Sequence, residues 1–223
     1  MKKIAAVIVV CFLASLVFAQ NIVTASNFFS QVSSVYGSIK DYEANIDIKA
    51  GKSTMVGKVS FKRPDLLRID FTNPKDQVIC YNGDLLTIYL PGASAILNQS
   101  VQSSGNAGAS LATPNGLSLM SRYYSVAYET GQAPVPLDEE GSDELVVKLI
   151  LSRRNTSEAF RYIRLAVSPE SKLIRRIEGV TPQGESFVFR FWNYSINQGI
   201  SDQRFIYDPP TSANNYNNFL FSE

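Results

Sequence analysis

The chain has 223 residues, with 21 Lys plus Arg against 20 Asp plus Glu and no basic block, which excludes the electrostatic footprint of a nucleic-acid partner. It contains no histidine, so the usual general base, triad member and commonest metal ligand are missing at once. The expectation is a protein that is not an enzyme and that holds no metal or cofactor.

Lys2 and Lys3 precede an apolar run from Ile4 to Phe18, and Val17-Phe18-Ala19 places small residues where a signal peptidase reads them. Residues 1–19 are therefore read as a secretory signal cleaved near Ala19. The run is shorter than the roughly 20 residues a membrane-spanning helix needs, and no second one follows, so the mature chain is expected to be soluble. Residues 20–210 have the length of one β-rich domain, and the Asn-rich stretch 211–223 reads as a poorly ordered tail. Cys11 leaves with the signal, which makes Cys80 a lone cysteine, read as a small buried apolar residue.

From Ser26, a candidate N-cap, the residues Phe28, Phe29, Val32, Val35, Tyr36 and Ile39 recur at helical spacing, and Gly37 to Asp41 close the pattern. That stripe either packs on a sheet or covers a ligand cavity. Tyr42 to Ala50 begins the sheet, with Ile46 and Ile48 alternating against Asp47 and Lys49. Next, Met55, Gly57, Val59 and Phe61 share one strand face, and after Arg63-Pro64 so do Leu67, Ile69 and Phe71. Asn73-Pro74 and Asn82-Gly83 mark the next two turns of an antiparallel meander. Ala93 to Leu97 adds a short strand. The Gln/Ser/Gly/Asn/Ala tract from Asn98 to Ser110 cannot bury enough surface to fix itself and reads as a mobile loop.

Thr113-Pro114 supplies an N-cap and a first-turn proline to a short helix whose apolar side is Leu117, Leu119, Met120 and Tyr123, either a crossover or a movable plug. Ser125 to Glu129 can pair as a strand, and Asp138 to Glu144 reads as a solvated acidic turn. Four longer strands follow at Leu145 to Arg153, Arg161 to Ser168, Lys172 to Thr181 and Glu185 to Ile196. The last carries Phe187, Phe189 and Phe191 on one face, and Val188, Trp192 and Tyr194 make its other face apolar too. Asn197 to Tyr207 reads as a closing hairpin arm ended by Pro209-Pro210.

The order of these elements resembles the LolA-type carriers of outer-membrane lipoproteins, from about Phe28 to Pro210. The most specific part is Gly57, Val59, Phe61, Arg63-Pro64, Leu66-Leu67, Ile69 and Phe71, followed by Pro74, Asn82-Gly83, Ile88-Tyr89 and Pro91. Thr113-Pro114 with Leu117, Leu119 and Met120 resembles the family's loop helix, and Asn197, Phe205, Tyr207 and Pro209-Pro210 its closing strand. Thr87 departs from the pattern, standing where the family often has an aromatic.

The resemblance implies an α+β, mainly β fold: a single domain with a strongly curved, unclosed antiparallel half-barrel and a helical lid over its concave apolar face. It implies a periplasmic, monomeric carrier that takes acylated lipoproteins from an inner-membrane ABC-type extractor to an outer-membrane acceptor. The alternative is an envelope lipid- or lipoprotein-sensing regulator, or a generic lipid binder, on the same fold. The expected acyl-chain cavity is lined by Val59, Phe61, Leu67, Ile69, Phe71, Phe187, Phe189 and Phe191, and the lid by Leu117, Leu119 and Met120. The matching arginine of the family holds the lid shut on helix carbonyls, so Arg63 is the expected latch, against a strand-end arginine that reaches water or a surface carboxylate.

Overall fold

The computed structural model describes residues 22–100, 113–138 and 142–219. The segment read as a secretory signal and its expected cleavage site, most of the Asn98 to Ser110 tract and the centre of the acidic turn lie outside the described residues. Helix α1 (Ala25–Ser38) leads into β1 (Asp41–Ala50), β2 (Ser53–Lys62), β3 (Leu66–Asn73), β4 (Val78–Tyr81), β5 (Leu85–Leu90) and β6 (Ala95–Ser100). Helix α2 (Pro114–Tyr123) passes directly into β7 (Tyr124–Tyr128). Then come β8 (Val135–Pro136), β9 (Leu145–Arg153), β10 (Tyr162–Val167), β11 (Ile174–Val180), β12 (Ser186–Ile196) and β13 (Asn214–Asn217).

All of the strands belong to one curved sheet in the order β13-β6-β5-β4-β3-β2-β1-β12-β11-β10-β9-β7, with β8 paired to β9 alone. Its two end strands do not pair with each other, so the sheet stays an open half-barrel. The pairing is antiparallel except where β13 runs parallel to β6. Two meanders, β1 to β6 and β9 to β12, meet where β12 returns to β1, with Ile46 opposite Phe191 and Ile48 opposite Phe189. Period-two alternation then sorts the side chains, apolar ones to the concave side and charged ones to the convex side.

The local signals place the elements with a few shifts. The N-cap of α1 is Thr24, not Ser26: its hydroxyl accepts from the Asn27 amide at 3.2 Å. Asn98 is a strand residue of β6 rather than the start of a loop, because it pairs opposite Thr87, whose hydroxyl donates to Asn98 Oδ1 at 2.9 Å.

Residues Asn197 to Tyr207 are not a hairpin arm. They cross the convex face through a short 3-10 turn, Asp202–Phe205. Phe205 is buried there, Cys80 Sγ contacts its carbonyl at 3.2 Å, and Arg68 donates to the Arg204 carbonyl at 3.2 Å while its guanidinium lies over the Tyr207 ring at 5.2 Å. Cys80 is thus a buried, free cysteine under the C-terminal segment. Beyond Pro210 the chain adds β13 to the sheet edge, where the sequence alone suggests no element.

Candidate functional site

The floor of the site is made by register. Val59 sits opposite Ala44 and Ile69, Phe61 opposite Tyr42 and Leu67, and Gly57 opposite Ile46 and Phe71. On the other side of β1 the same face continues through Phe191, Phe189 and Phe187. Two sequence stretches more than a hundred residues apart therefore form one apolar surface, and β1 is what joins them. Val59, Phe61, Ile69, Phe71 and Phe191 are buried in a single core cluster, while Leu67 and Phe189 are half-buried against it. Phe187 is also half-buried, with its ring edge-on to Phe160 at 6.3 Å.

Helix α1 crosses this face from β7 to β2. At its start the Tyr128 hydroxyl donates to the Val23 carbonyl at 2.7 Å, and at its end the Arg63 side chain reaches its last carbonyls. Phe28, Phe29, Val32 and Tyr36 form its buried stripe. Helix α2 packs against α1 and β7 through Gly116, Leu117 and Met120. Leu119, expected beside them, lies on another side of the helix and is only half-buried, because two residues of helix turn it by about 200°.

Arg63 does point to helix carbonyls, but they belong to α1 rather than α2. Its Nε donates to the Ile39 carbonyl at 2.8 Å, and its terminal nitrogen donates to the carbonyls of Gly37 and Tyr36. The end of α1 carries unsatisfied carbonyls and no basic residue of its own in the last turn, so a guanidinium supplied from β2 satisfies both its donors and the helix dipole.

The feature that motif reading missed is a tyrosine cluster under α1, in which Tyr36 and Tyr42 are fully buried and Tyr194 is half-buried. Tyr194 donates to the Ile174 carbonyl at 2.9 Å, so the 3.2 Å contact between hydroxyls is donated by Tyr36, which in turn accepts from the Ile174 amide at 3.1 Å. Tyr42 stacks at a tilt on Phe61 at 5.4 Å and on Tyr194 at 5.6 Å. Burial raises the pKa of all three phenols, those of Tyr42 and Tyr194 well above the ordinary value. The signal was present in the sequence, since Tyr42 shares the alternation of Ile46 and Ile48, but nothing local shows which partners it meets. Among the described residues no three acidic or cysteine side chains converge as a metal site would require.

The profile of the family described as "Outer membrane lipoprotein carrier protein LolA" matches residues 47–208. The chain belongs to that LolA family. No curated protein matches its sequence. Solved structures resemble it in fold. A conserved protein from Thermus thermophilus gives a TM-score of 0.56 at 12% identity, over 86% of this chain and 98% of that one. The Mycobacterium tuberculosis lipoprotein LppX gives 0.52 at 10% identity, over 79% of this chain and 97% of that one. A chain of the Pseudomonas aeruginosa MucA/MucB complex gives 0.52 at 10% identity, with 85% of this chain covered and 62% of that one. Like other members of the LolA family, this chain is mainly β with helices over the concave face. The LolA match takes in all of β2 to β12, and with them Arg63 and both halves of the apolar floor.

Proposed function

We propose that this protein is a periplasmic carrier that holds the acyl chains of lipoproteins between the concave sheet face and helices α1 and α2. Membership of the LolA family supports the class. The observation that carries the reading to a site is the pairing of an apolar face, in which Leu67, Phe187 and Phe189 are only half-buried, with a helix whose end is held by polar bonds from Arg63. The floor and α1 share one apolar core, to which Phe28, Phe29, Val32 and Tyr36 belong, so an entering acyl chain replaces the contacts of that stripe, while the bonds from Arg63 and Tyr128 set where the ends of the helix lie.

The energetics favour this division. Enclosing about 15 methylenes at about 0.8 kcal/mol each is worth on the order of 12 kcal/mol, which corresponds to nanomolar affinity and slow release. A carrier that must hand its cargo on needs part of that energy offset. Contacts of the closed form that are lost on loading do this, because they lower the net affinity by the free energy of opening.

In this reading an inner-membrane ABC-type extractor loads the protein, an outer-membrane acceptor receives the cargo, and residues 1–19 direct export. Val59, Phe61, Ile69, Phe71 and Phe191 are the packed base of the acyl site; Leu67, Phe187 and Phe189 meet the chain; Leu117 and Met120 close over it; and Arg63 is the latch. Native mass spectrometry of the protein purified from its own periplasm tests the proposal. A co-purifying acylated polypeptide is expected. A free phospholipid would move the protein to the lipid-binding or sensing alternative, and an empty protein that also fails to displace a fluorescent apolar probe would remove the acyl site.

A further inference from the structure

The sequence has eleven arginines, and the fold uses seven of them. Arg68, Arg164, Arg175, Arg176, Arg190 and Arg204 each lie within ion-pair distance of a carboxylate, and Arg63 is spent on α1. The four that remain, Arg122, Arg153, Arg154 and Arg161, have no carboxylate partner among the described residues, and the backbone brings all four to one corner. Arg153 is hydrogen-bonded through its amide to the Arg161 carbonyl at 3.3 Å, and Arg154 through its amide to the Tyr123 carbonyl at 2.9 Å, next to Arg122 in the last turn of α2.

Arg122, Arg154 and Arg161 are exposed, and Arg153 is half-exposed. Arg153 and Arg154 donate to the carbonyls of Thr156 and Tyr124, which steadies them without neutralising them. Glu158 is the single acidic residue in the hairpin between β9 and β10. An exposed tyrosine stands among them: Tyr123 keeps 38% of its surface, with the Arg122 guanidinium 5.4 Å from its ring centre.

We infer that this corner is a docking surface for a membrane rich in anionic phospholipid headgroups. Guanidinium groups bind phosphate oxygens through fixed paired donors, and a tyrosine with an apolar body and a polar tip sits well at the headgroup boundary. An acidic protein partner would account for the arginines, but not for their position. The corner lies on the rim opposite the one where both ends of α1 are tied, and this rim also carries half-buried Phe160 and Phe187 at the end of the apolar floor. Headgroups held at the arginines would place acyl chains in line with that floor. The purpose assigned here rests on the carrier reading; the arginine geometry does not.

The test is co-flotation of the cargo-free mature protein with vesicles of phosphatidylcholine alone or mixed with phosphatidylglycerol, at low and high salt. Binding only to the mixed vesicles, and weaker in salt, is expected. Arg122 and Arg161 make no side-chain hydrogen bond or ion pair among the described residues, so Arg122→Gln with Arg161→Gln should leave folding intact and lower partitioning by about fivefold per arginine. Tyr123→Ser should weaken binding at both salt concentrations. Wild type that ignores mixed vesicles, a double variant that partitions as wild type does, or wild type that binds an acidic polypeptide but no vesicle would each overturn the proposal. Displacement of a fluorescent apolar probe, measured on the same samples, separates the two readings. A protein that binds the probe but no vesicle loses this surface and keeps the acyl site.

Discussion

Arg63 Nε lies 2.8 Å from the carbonyl oxygen of Ile39, which ties the end of β2 to the end of α1. A hydrogen bond from a charged donor contributes about 1.5 to 3 kcal/mol when shielded and less where water competes, as at exposed Arg63, so these bonds bias a helix position without deciding the fold. Arg63→Leu should therefore stay folded, lose about 1 kcal/mol of stability and show faster hydrogen exchange in the last turn of α1. In a transfer assay the loaded variant should release cargo more slowly than wild type, because the closed form has lost a contact that competes with loading. Unchanged exchange in α1 would return Arg63 to the role of a surface arginine.

Two adjacent floor residues should respond differently to the same change. Phe61 is 1% exposed and stacked on Tyr42, whereas Leu67, its cross-strand partner, is half-buried. Leu67→Glu should give a folded protein with weakened binding of an apolar probe. Phe61→Glu should not fold, and Phe61→Ala should lose about 3 to 5 kcal/mol in urea denaturation. Equal destabilisation by both glutamates would mean that the floor is filled by its own side chains at Leu67 as well.

Gly57 has a steric role. A Cβ built on it would lie 2.3 Å from the Asp70 carbonyl oxygen and 3.0 Å from the Phe71 Cα, both rigid backbone atoms, at a register shift between β2 and β3. Gly57→Ala should cost about 3 kcal/mol or more by forcing the two strands apart. A melting temperature within a degree or two of wild type would contradict this.

The tyrosine cluster predicts an alkaline limit. Tyr36, Tyr42 and Tyr194 have folded-state pKa values raised above the ordinary value of 10.0, chiefly by burial, so the unfolded chain gives up their protons first. Their stabilising contribution is complete below pH 10 and is lost as pH rises above it, with a slope of up to about 1.4 kcal/mol per pH unit for each tyrosine. Urea denaturation between pH 9 and 11 should show this fall, and Tyr42→Phe should make it shallower. An equal slope in the variant would place the alkaline sensitivity elsewhere.

Much of this protein is determined by local pattern. Alternation around Val59, Leu67 and Leu149, the stops at Arg63-Pro64 and Asn73-Pro74, and the Thr113-Pro114 helix start are backbone preferences and burial periods that each stretch carries by itself, and they led to the strands, the helices and the LolA resemblance. The apolar character of the floor was legible for the same reason: a period of two needs no knowledge of the partner strand. The placement of Asn197 to Tyr207 was not legible, because a segment with Phe205, Tyr207 and two prolines suits an edge strand as well as a strap, and only the apolar convex patch around Cys80 selects the strap.

Tertiary structure alone decided the rest. That Phe191 and Ile46 share a face follows from β12 pairing with β1, a contact between residues 145 positions apart that no local signal specifies. The Tyr36, Tyr42 and Tyr194 cluster exists because α1 crosses that seam and because the register shift between Glu43 and Asn45 brings Tyr194 to the face of Phe191, and not to the opposite face that strict alternation predicts. The side of α2 on which Leu119 lies was open, because an apolar residue on a short helix can face either way until its neighbours are known. The helix that Arg63 holds was likewise open, since a guanidinium accepts any carbonyl within reach, and the carbonyls within reach are those of α1. Side-chain period is a property of the chain; register and crossing are properties of the packed whole, set where the summed burial of distant residues outweighs every local alternative.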